Sequence, residues 1–346
     1  MDIMTERQKL RRKRRIHKRI LGAVIAVLII AALVCAVWFI TKAMLKDQPK
    51  PTPTDPTPAV TTPQTTEPPT QEPTLPPTEP PTESRYNASA VDNSEIHRGF
   101  LILVNEYHEY IFPEDQDLVN TYEKRTKGKY KFRDDDILFN AEAQEHMDKM
   151  LVDFNAETGV KDLIILSCLR SIEKQTELFE RKVKQTDYET AKKWVAIPGY
   201  SEHHTGLAVD FGIYDSKGSH DYTGEGDYKF INDYCYKYGF ILRYPTNKTD
   251  ITGIGFEPWH FRYTGYPHAE IASTKGICWE EYIDLLKQYP FDGEHLNFTA
   301  FDGTEYEIYY IAADTTADAT LIYTPKTGEY RVSGNNVDGF IVTCKK

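Results

Sequence analysis

The sequence predicts a mixed α+β body behind an N-terminal tail, and three observations lead to that class. Apolar residues recur at helical spacing in some stretches, and in others they form short strand-like runs. These stretches follow one another without the regular strand–helix alternation of a doubly wound sheet. From about residue 292 onward, strand-like segments separated by turn residues take over, which predicts a small all-β extension.

Composition divides the 346 residues sharply. Residues 1–19 hold nine Lys/Arg against Asp2 and Glu6, a local charge of +7, so the remainder carries −18 of the net −11. A basic head alone would fit nucleic acid, but the next segment argues against that partner. Ile20–Ile40 is a run of 21 residues with no charge, and at 1.5 Å per residue it spans roughly 30 Å, the thickness of a hydrocarbon core. The basic flank before it places the N-terminus in the cytoplasm and everything after about Ala43 outside. A cleaved signal peptide would have a shorter apolar region and a small-x-small site before the linker. An uncleaved single-pass anchor over residues 20–43, behind a cytoplasmic tail 1–19, is therefore expected in the cell membrane.

Residues 47–84 contain 13 of the 20 prolines and 11 threonines. Such a segment has too few large apolar side chains to bury a core and takes polyproline II character. Its 38 residues reach roughly 120 Å at most. The expected linker, 44–85, spaces a folded body away from the membrane.

The body is expected over 86–291. Leu138, Ala141, Met147, Met150, Leu151 and Phe154 predict an amphipathic helix over 138–156. A short buried strand is expected at Asp162–Cys168, a charged helix at Ile172–Lys184 and another around Tyr188–Val195. Leu207–Gly212 reads as a strand, Tyr228–Tyr238 as a helix ending at Gly239, and Phe240–Arg243 as a strand. A strand segment at Phe256–Tyr263 and a helix at Glu280–Gln288 close the body. The extension, 292–346, is expected to hold strands at Tyr306–Ala312, Ala319–Tyr323, Glu329–Val332 and Gly339–Thr343. Outside the membrane segment the cysteines are Cys168, Cys235, Cys278 and Cys344. None shows C-x-x-C spacing. Outside the membrane disulfides can persist, and these four cysteines allow three pairings that sequence does not choose among, but separate buried thiols are the favoured reading.

Two stretches carry the chemistry: Ser201-Glu202-His203-His204-Thr205-Gly206-Leu207-Ala208-Val209-Asp210, and Glu257-Pro258-Trp259-His260-Phe261-Arg262-Tyr263. Together they supply imidazoles, a carboxylate and a further glutamate, the components of a catalytic zinc site that leaves one position to water. On a strand Ala208, Asp210 and Gly212 share a face, and the small neighbours leave room beside the carboxylate. Adjacent side chains diverge, so only one of His203 and His204 reaches a metal, and local spacing does not choose between them. Glu257 and His260 are three apart, which on a regular strand sends them to opposite faces; Pro258 breaks that regularity. Trp259 is expected to pack. Arg170 follows a strand, where a fixed guanidinium serves a carboxylate or an oxyanion; by itself it reads more readily as a surface ion pair.

These residues resemble the VanY-like D-alanyl-D-alanine carboxypeptidases, zinc peptidases of peptidoglycan, over roughly residues 95–290. SEHHTGLAVD matches the family's S-x-H-x-x-G-x-A-x-D and EPWHFRY its E-x-W-H-x-R-Y, with LRSIEKQ and YGFILRYP agreeing in order. The resemblance implies the α+β fold of hedgehog/DD-peptidase-type zinc peptidases, Zn2+ held by His203, Asp210 and His260, and Glu257 as general base. It places Arg170, Gln175 and Ser201 against the peptide substrate or the transition state. The implied activity removes the C-terminal D-alanine from peptidoglycan stem peptides. One departure is Leu169, where an aromatic residue usually precedes the arginine. An L,D-carboxypeptidase acting on tetrapeptide stems would use the same site. A non-catalytic wall-binding module would have no need of Glu257.

Overall fold

The computed structural model describes residues 85–346. The expected cytoplasmic tail, membrane segment and nearly all of the linker lie outside them. Among the described residues, no helix is long and apolar enough to cross a membrane.

The central sheet runs in the order Lys131–Phe132, Leu163–Ser167, Ala208–Asp215, His260–Tyr263 and Phe240–Leu242, with Gly218–His220 paired to the Ala208–Asp215 strand. The first pair is parallel and the others antiparallel. Side chains alternate across a strand. Val209 and Phe211 therefore point into the main core beside Leu163, Ile165, Phe240 and Phe261, which leaves Asp210 free to project from the other face.

The helix Ala141–Thr158 covers the core face with Met147, Met150, Leu151 and Phe154. Its start is set by Asn140, whose side chain accepts from the backbone N–H groups of Glu142 and Ala143, both at 3.1 Å. Its end is set by Gly159, a left-handed cap at φ 74°, a conformation that costs glycine nothing. The helix expected over 138–156 therefore starts three residues late, because Leu138–Asn140 pairs antiparallel with Leu118–Asn120. A second helix, Ile172–Gln185, opens directly after Arg170, with the Ser171 hydroxyl accepting from Lys174 N–H at 3.2 Å.

Three other expectations are corrected. The helix around Tyr188–Val195 is a single turn, Tyr188–Ala191. The helix over Tyr228–Tyr238 divides into Lys229–Tyr234 and a tighter 3-10 turn, Cys235–Tyr238. The strand over Phe256–Tyr263 begins only at His260, because Trp259 and Pro258 form a turn closed by His260 N–H donating to the Glu257 carbonyl at 3.2 Å.

The C-terminal strands form an antiparallel sheet in the order Leu296–Thr299, Glu305–Ala312, Gly339–Lys345, Glu329–Gly334. Both of its faces are covered. Ile308, Tyr310 and Ile341 join Trp279, Tyr282, Ile283 and Leu286 of the helix Trp279–Leu286 in a second core. Tyr309, Ile311, Phe340 and Val342 face Ile322 in a third. Ala319–Pro325 pairs with Tyr86–Asp92, so the first strand of the expected 86–291 body belongs structurally with the extension. All described residues fall in one compact unit. Cys168, Cys235, Cys278 and Cys344 are buried and unbridged.

Candidate metal centre and active-site groove

Three side chains from two segments converge. His203 lies in the 3-10 turn Glu202–Thr205, which Gly206 ends at φ 67° before the chain enters the Ala208–Asp215 strand. Asp210 and His260 are directly opposed across antiparallel strands, so their side chains share a face. His203 Nε2 is 3.1 Å from Asp210 Oδ2, and His260 Nδ1 is 2.9 Å from Asp210 Oδ1. One ligand atom from each of the three lies within 4.8 Å of the others.

His203 Nδ1–H donates to the Cys168 carbonyl at 2.6 Å, which fixes the tautomer and leaves the Nε2 lone pair facing Asp210. The same test excludes His204. Its Nδ1 binds the Arg170 carbonyl at 2.7 Å and its Nε2 accepts from Gly199 N–H at 3.1 Å, so both ring nitrogens are taken by the backbone.

Arg170 meets the same Asp210 oxygen that faces His203. Its Nη2 donates to Asp210 Oδ2 at 3.1 Å and to Ser167 Oγ at 3.2 Å, and its Nη1 donates to Gln175 Oε1 at 2.8 Å. Gln175 is fully buried, and its amide nitrogen donates to the Ala196 carbonyl at 2.6 Å. Both ends of that side chain are occupied, so Gln175 stands behind Arg170 and holds the guanidinium, in place of the expected contact with substrate. Ser201 is also buried and lines the smaller of two cavities described below. Glu257 Oε2 is 3.9 Å from His260 Nδ1, which places the carboxylate beside the convergence point.

The electrostatics follow from burial and neighbours. Burial, helped by the Arg170 guanidinium, lowers His203 to about 4, so its imidazole is neutral. Burial opposes the charged form of Asp210, yet the two imidazoles hold its carboxyl well below the usual range. Burial also works against a charged His260, but Asp210, Glu202 and Glu257 outweigh it and lift the ring to about 9. Burial raises Glu257 to about 8, with Asp210 adding to the shift and His260 and Arg170 opposing it. The His260 ring thus favours its protonated form, with a proton on Nδ1, the atom where a metal would bind.

The donor set fits zinc. Two imidazole nitrogens and one carboxylate are the ligands of an open catalytic site. Bonds of about 2.0–2.1 Å at tetrahedral angles put ligand atoms about 3.4 Å apart, within the 4.8 Å that bounds one ligand atom of each of the three residues.

Two cavities meet at this point, of about 840 and 230 Å3. They share Arg170, Asp210, Leu178, Arg181 and Trp259. The smaller one also exposes Ser201, His203, Glu257 and His260, with Trp194 and Tyr244 in its wall. Trp259, expected to pack, is a groove residue as well. Tyr244 lies against the His260 ring at 4.9 Å between centroids. Neither Tyr244 nor Trp194 was picked out from the sequence, since a lone aromatic carries no pattern that marks it as a wall. Glu202 was also missed. It is fully buried between Arg243 and Arg262, with Oε1 at 2.8 and 3.2 Å from them.

Comparison with known proteins agrees with this geometry. The profile of the VanY family, described as D-alanyl-D-alanine carboxypeptidase, matches residues 136–266. A D-alanyl-D-alanine carboxypeptidase of Enterococcus faecium is 34% identical over 256 residues, covering 73% of this chain and 77% of that protein. The bifunctional D-Ala-D-Ala dipeptidase and D-Ala-D-Ala carboxypeptidase VanXYC of Enterococcus gallinarum is 34% identical over 162 residues, 45% of this chain and 83% of its own length. The solved structure of the vancomycin-resistance D,D-dipeptidase VanXYg, in complex with a D-Ala-D-Ala phosphinate analogue, superposes with a TM-score of 0.68 at 32% identity, covering 76% of this chain and all of that one. The fold, the convergent site and these relatives together show that the chain belongs to the VanY family of D-alanyl-D-alanine carboxypeptidases.

Proposed function

We propose that the protein is a zinc-dependent D,D-carboxypeptidase that removes the terminal D-alanine from peptidoglycan stem peptides. The observation that carries this reading is the convergence of His203, Asp210 and His260, one ligand atom of each within 4.8 Å of the others, with Glu257 at its edge and a groove running past it. Zinc held by those three residues supplies Lewis acidity and lowers the pKa of water at the site.

The chain's own residues do the rest. Glu257 Oε2 takes the proton of the attacking water and returns it to the nitrogen of the departing D-alanine, so one buried carboxyl serves both steps. Arg170, held by Gln175, Ser167 and Asp210, donates to the oxygen that gains charge as the carbonyl is attacked. Ser201, Tyr244, Trp194 and Trp259 shape the groove that seats the end of the peptide and keeps bulk water out. No covalent bond between enzyme and substrate is needed.

The basic head and the uncharged run Ile20–Ile40 support an anchor with its N-terminus in the cytoplasm. In this reading the Thr/Pro linker carries the enzyme out to the wall on the external side.

Incubating the full chain with pentapeptide muropeptides and following them by mass spectrometry tests the proposal. The expected result is loss of a single alanine, abolished by a chelator and restored by zinc. Release from tetrapeptide stems with none from pentapeptides would refute it.

A further inference from the structure

Glu202 lies immediately before a proposed ligand, but its side chain serves the other histidine. Its Oε2 is 3.7 Å from His260 Nε2. Both atoms are buried, and neither has a hydrogen-bond partner. Closing the gap to the usual separation of about 2.9 Å takes a movement of under about 1 Å. A buried donor and a buried acceptor left unpaired are each costly, and these two stand 3.7 Å apart.

The rest of the Glu202 environment is fixed. Oε1 accepts from Arg243 Nε at 2.8 Å and forms an ion pair with Arg262 Nη1 at 3.2 Å. Arg243 makes a bidentate pair with Glu280 of the helix Trp279–Leu286, at 2.9 and 2.6 Å. Arg262 is tied to the Tyr263, Phe100 and Ile102 carbonyls. Two glutamates and two arginines make this buried quartet neutral. Glu202 is therefore a carboxylate held in one orientation, with one oxygen left to aim.

The geometry points to Glu202 as a positioning residue for the metal centre. Its Oε2 accepts Nε2–H of His260, which selects the tautomer that presents the Nδ1 lone pair to the metal. This inference rests on the zinc site proposed above. A carboxylate behind a ligating imidazole fixes ring orientation and raises ligand basicity. In this chain that carboxylate is wired through Arg243 to the helix Trp279–Leu286, which itself packs on the C-terminal sheet.

Zinc affinity of the full chain, measured by competition with a chromogenic chelator, tests this with Glu202→Gln. The variant is expected to bind zinc 10- to 100-fold more weakly, the range typical of losing such a partner. A purely structural role would lower the melting temperature and leave the affinity of the folded protein unchanged. Affinity within about twofold of the unaltered chain, well short of that range, overturns the inference.

Should Glu202→Gln fail to fold, nitrogen NMR of the unaltered, zinc-loaded chain with labelled histidine decides the question. His260 is expected to show a metal-bound Nδ1 and a protonated, exchange-protected Nε2. A protonated Nδ1, or a freely exchanging Nε2–H, overturns it. Failure of the unaltered chain to take up zinc would bring down the functional reading together with this one, whereas unchanged uptake by the variant brings down this one alone.

Discussion

Glu257 Oε2 lies 3.9 Å from His260 Nδ1, the nitrogen that also faces Asp210. Glu257 is thus close enough to act on water bound at the centre while remaining outside the ligand set. Glu257→Gln is expected to lower turnover by at least the 10²–10⁴-fold typical of a lost general base. Zinc stoichiometry, measured on the same preparation, should stay at that of the unaltered chain. Loss of zinc with loss of activity would make Glu257 a ligand instead.

Arg170 and Gln175 form a hierarchy. Removing the guanidinium in Arg170→Ala takes away the proposed donor to the developing oxyanion and is expected to lower kcat by about 10²–10³-fold. Gln175→Ala leaves the guanidinium in place but frees one side of it, so a smaller loss of between about 10- and 100-fold is expected, from misplacement alone. Both should appear in kcat more than in KM. A larger loss for Gln175→Ala than for Arg170→Ala would mean that the amide itself meets the substrate.

Zinc uptake should release protons. At neutral pH the His260 ring, lifted to about 9, carries a proton on the side where the metal binds, while His203, lowered to about 4, has none to give up. Glu257, raised to about 8, is mainly protonated, and a cation beside it favours the carboxylate. Binding at pH 7 is therefore expected to release about one to two protons per zinc, and affinity should rise with pH up to about 9. Calorimetry in two buffers of different ionisation enthalpy gives that number. No proton release at pH 7 would contradict the charge pattern of the site.

The same carboxyl sets the acid side of the rate profile. In the proposed mechanism Glu257 acts as its base form, so kcat/KM is expected to fall as pH drops through its pKa. A cation bound beside it would favour the carboxylate and hold that pKa below the value of about 8 to which burial raises it. A profile that stays flat down to pH 5 would remove Glu257 from the proton-transfer role.

Much of this site was legible in sequence because it depends on short-range rules. Asp210 and its small neighbours announce a strand face. Glu257 was the harder case, since a three-residue offset from His260 conflicts with a strand. The conflict disappears because the strand starts at His260 and a turn precedes it. What sequence leaves open is whatever depends on distant partners. The choice between His203 and His204 is made by the Cys168, Arg170 and Gly199 backbones. The place of Gln175 behind Arg170 depends on the Ala196 carbonyl, and Glu202 is explained only by Arg243, Arg262 and Glu280.

The C-terminal sheet was read as an appendage, because turn-separated strands resemble a separate small module. The packing gives a different expectation. Ile308, Tyr310 and Ile341 share a core with Trp279, Tyr282 and Leu286, and His268 bridges the Tyr282 hydroxyl at 2.7 Å and Thr343 Oγ1 at 2.8 Å. Ending the chain at residue 291 would strip that cover from the helix Trp279–Leu286, whose Glu280 anchors Arg243 and through it Glu202. The shortened chain is expected to unfold or aggregate rather than yield a working peptidase. A milder probe is Ile308→Ala, which leaves a cavity in that shared core and should cost about 2–5 kcal/mol, read as a lower denaturant midpoint with an unchanged slope. A chain ending at residue 291 that kept its midpoint and its zinc affinity would show that the sheet is dispensable, and the link from Glu280 to the metal centre would then have to stand without it.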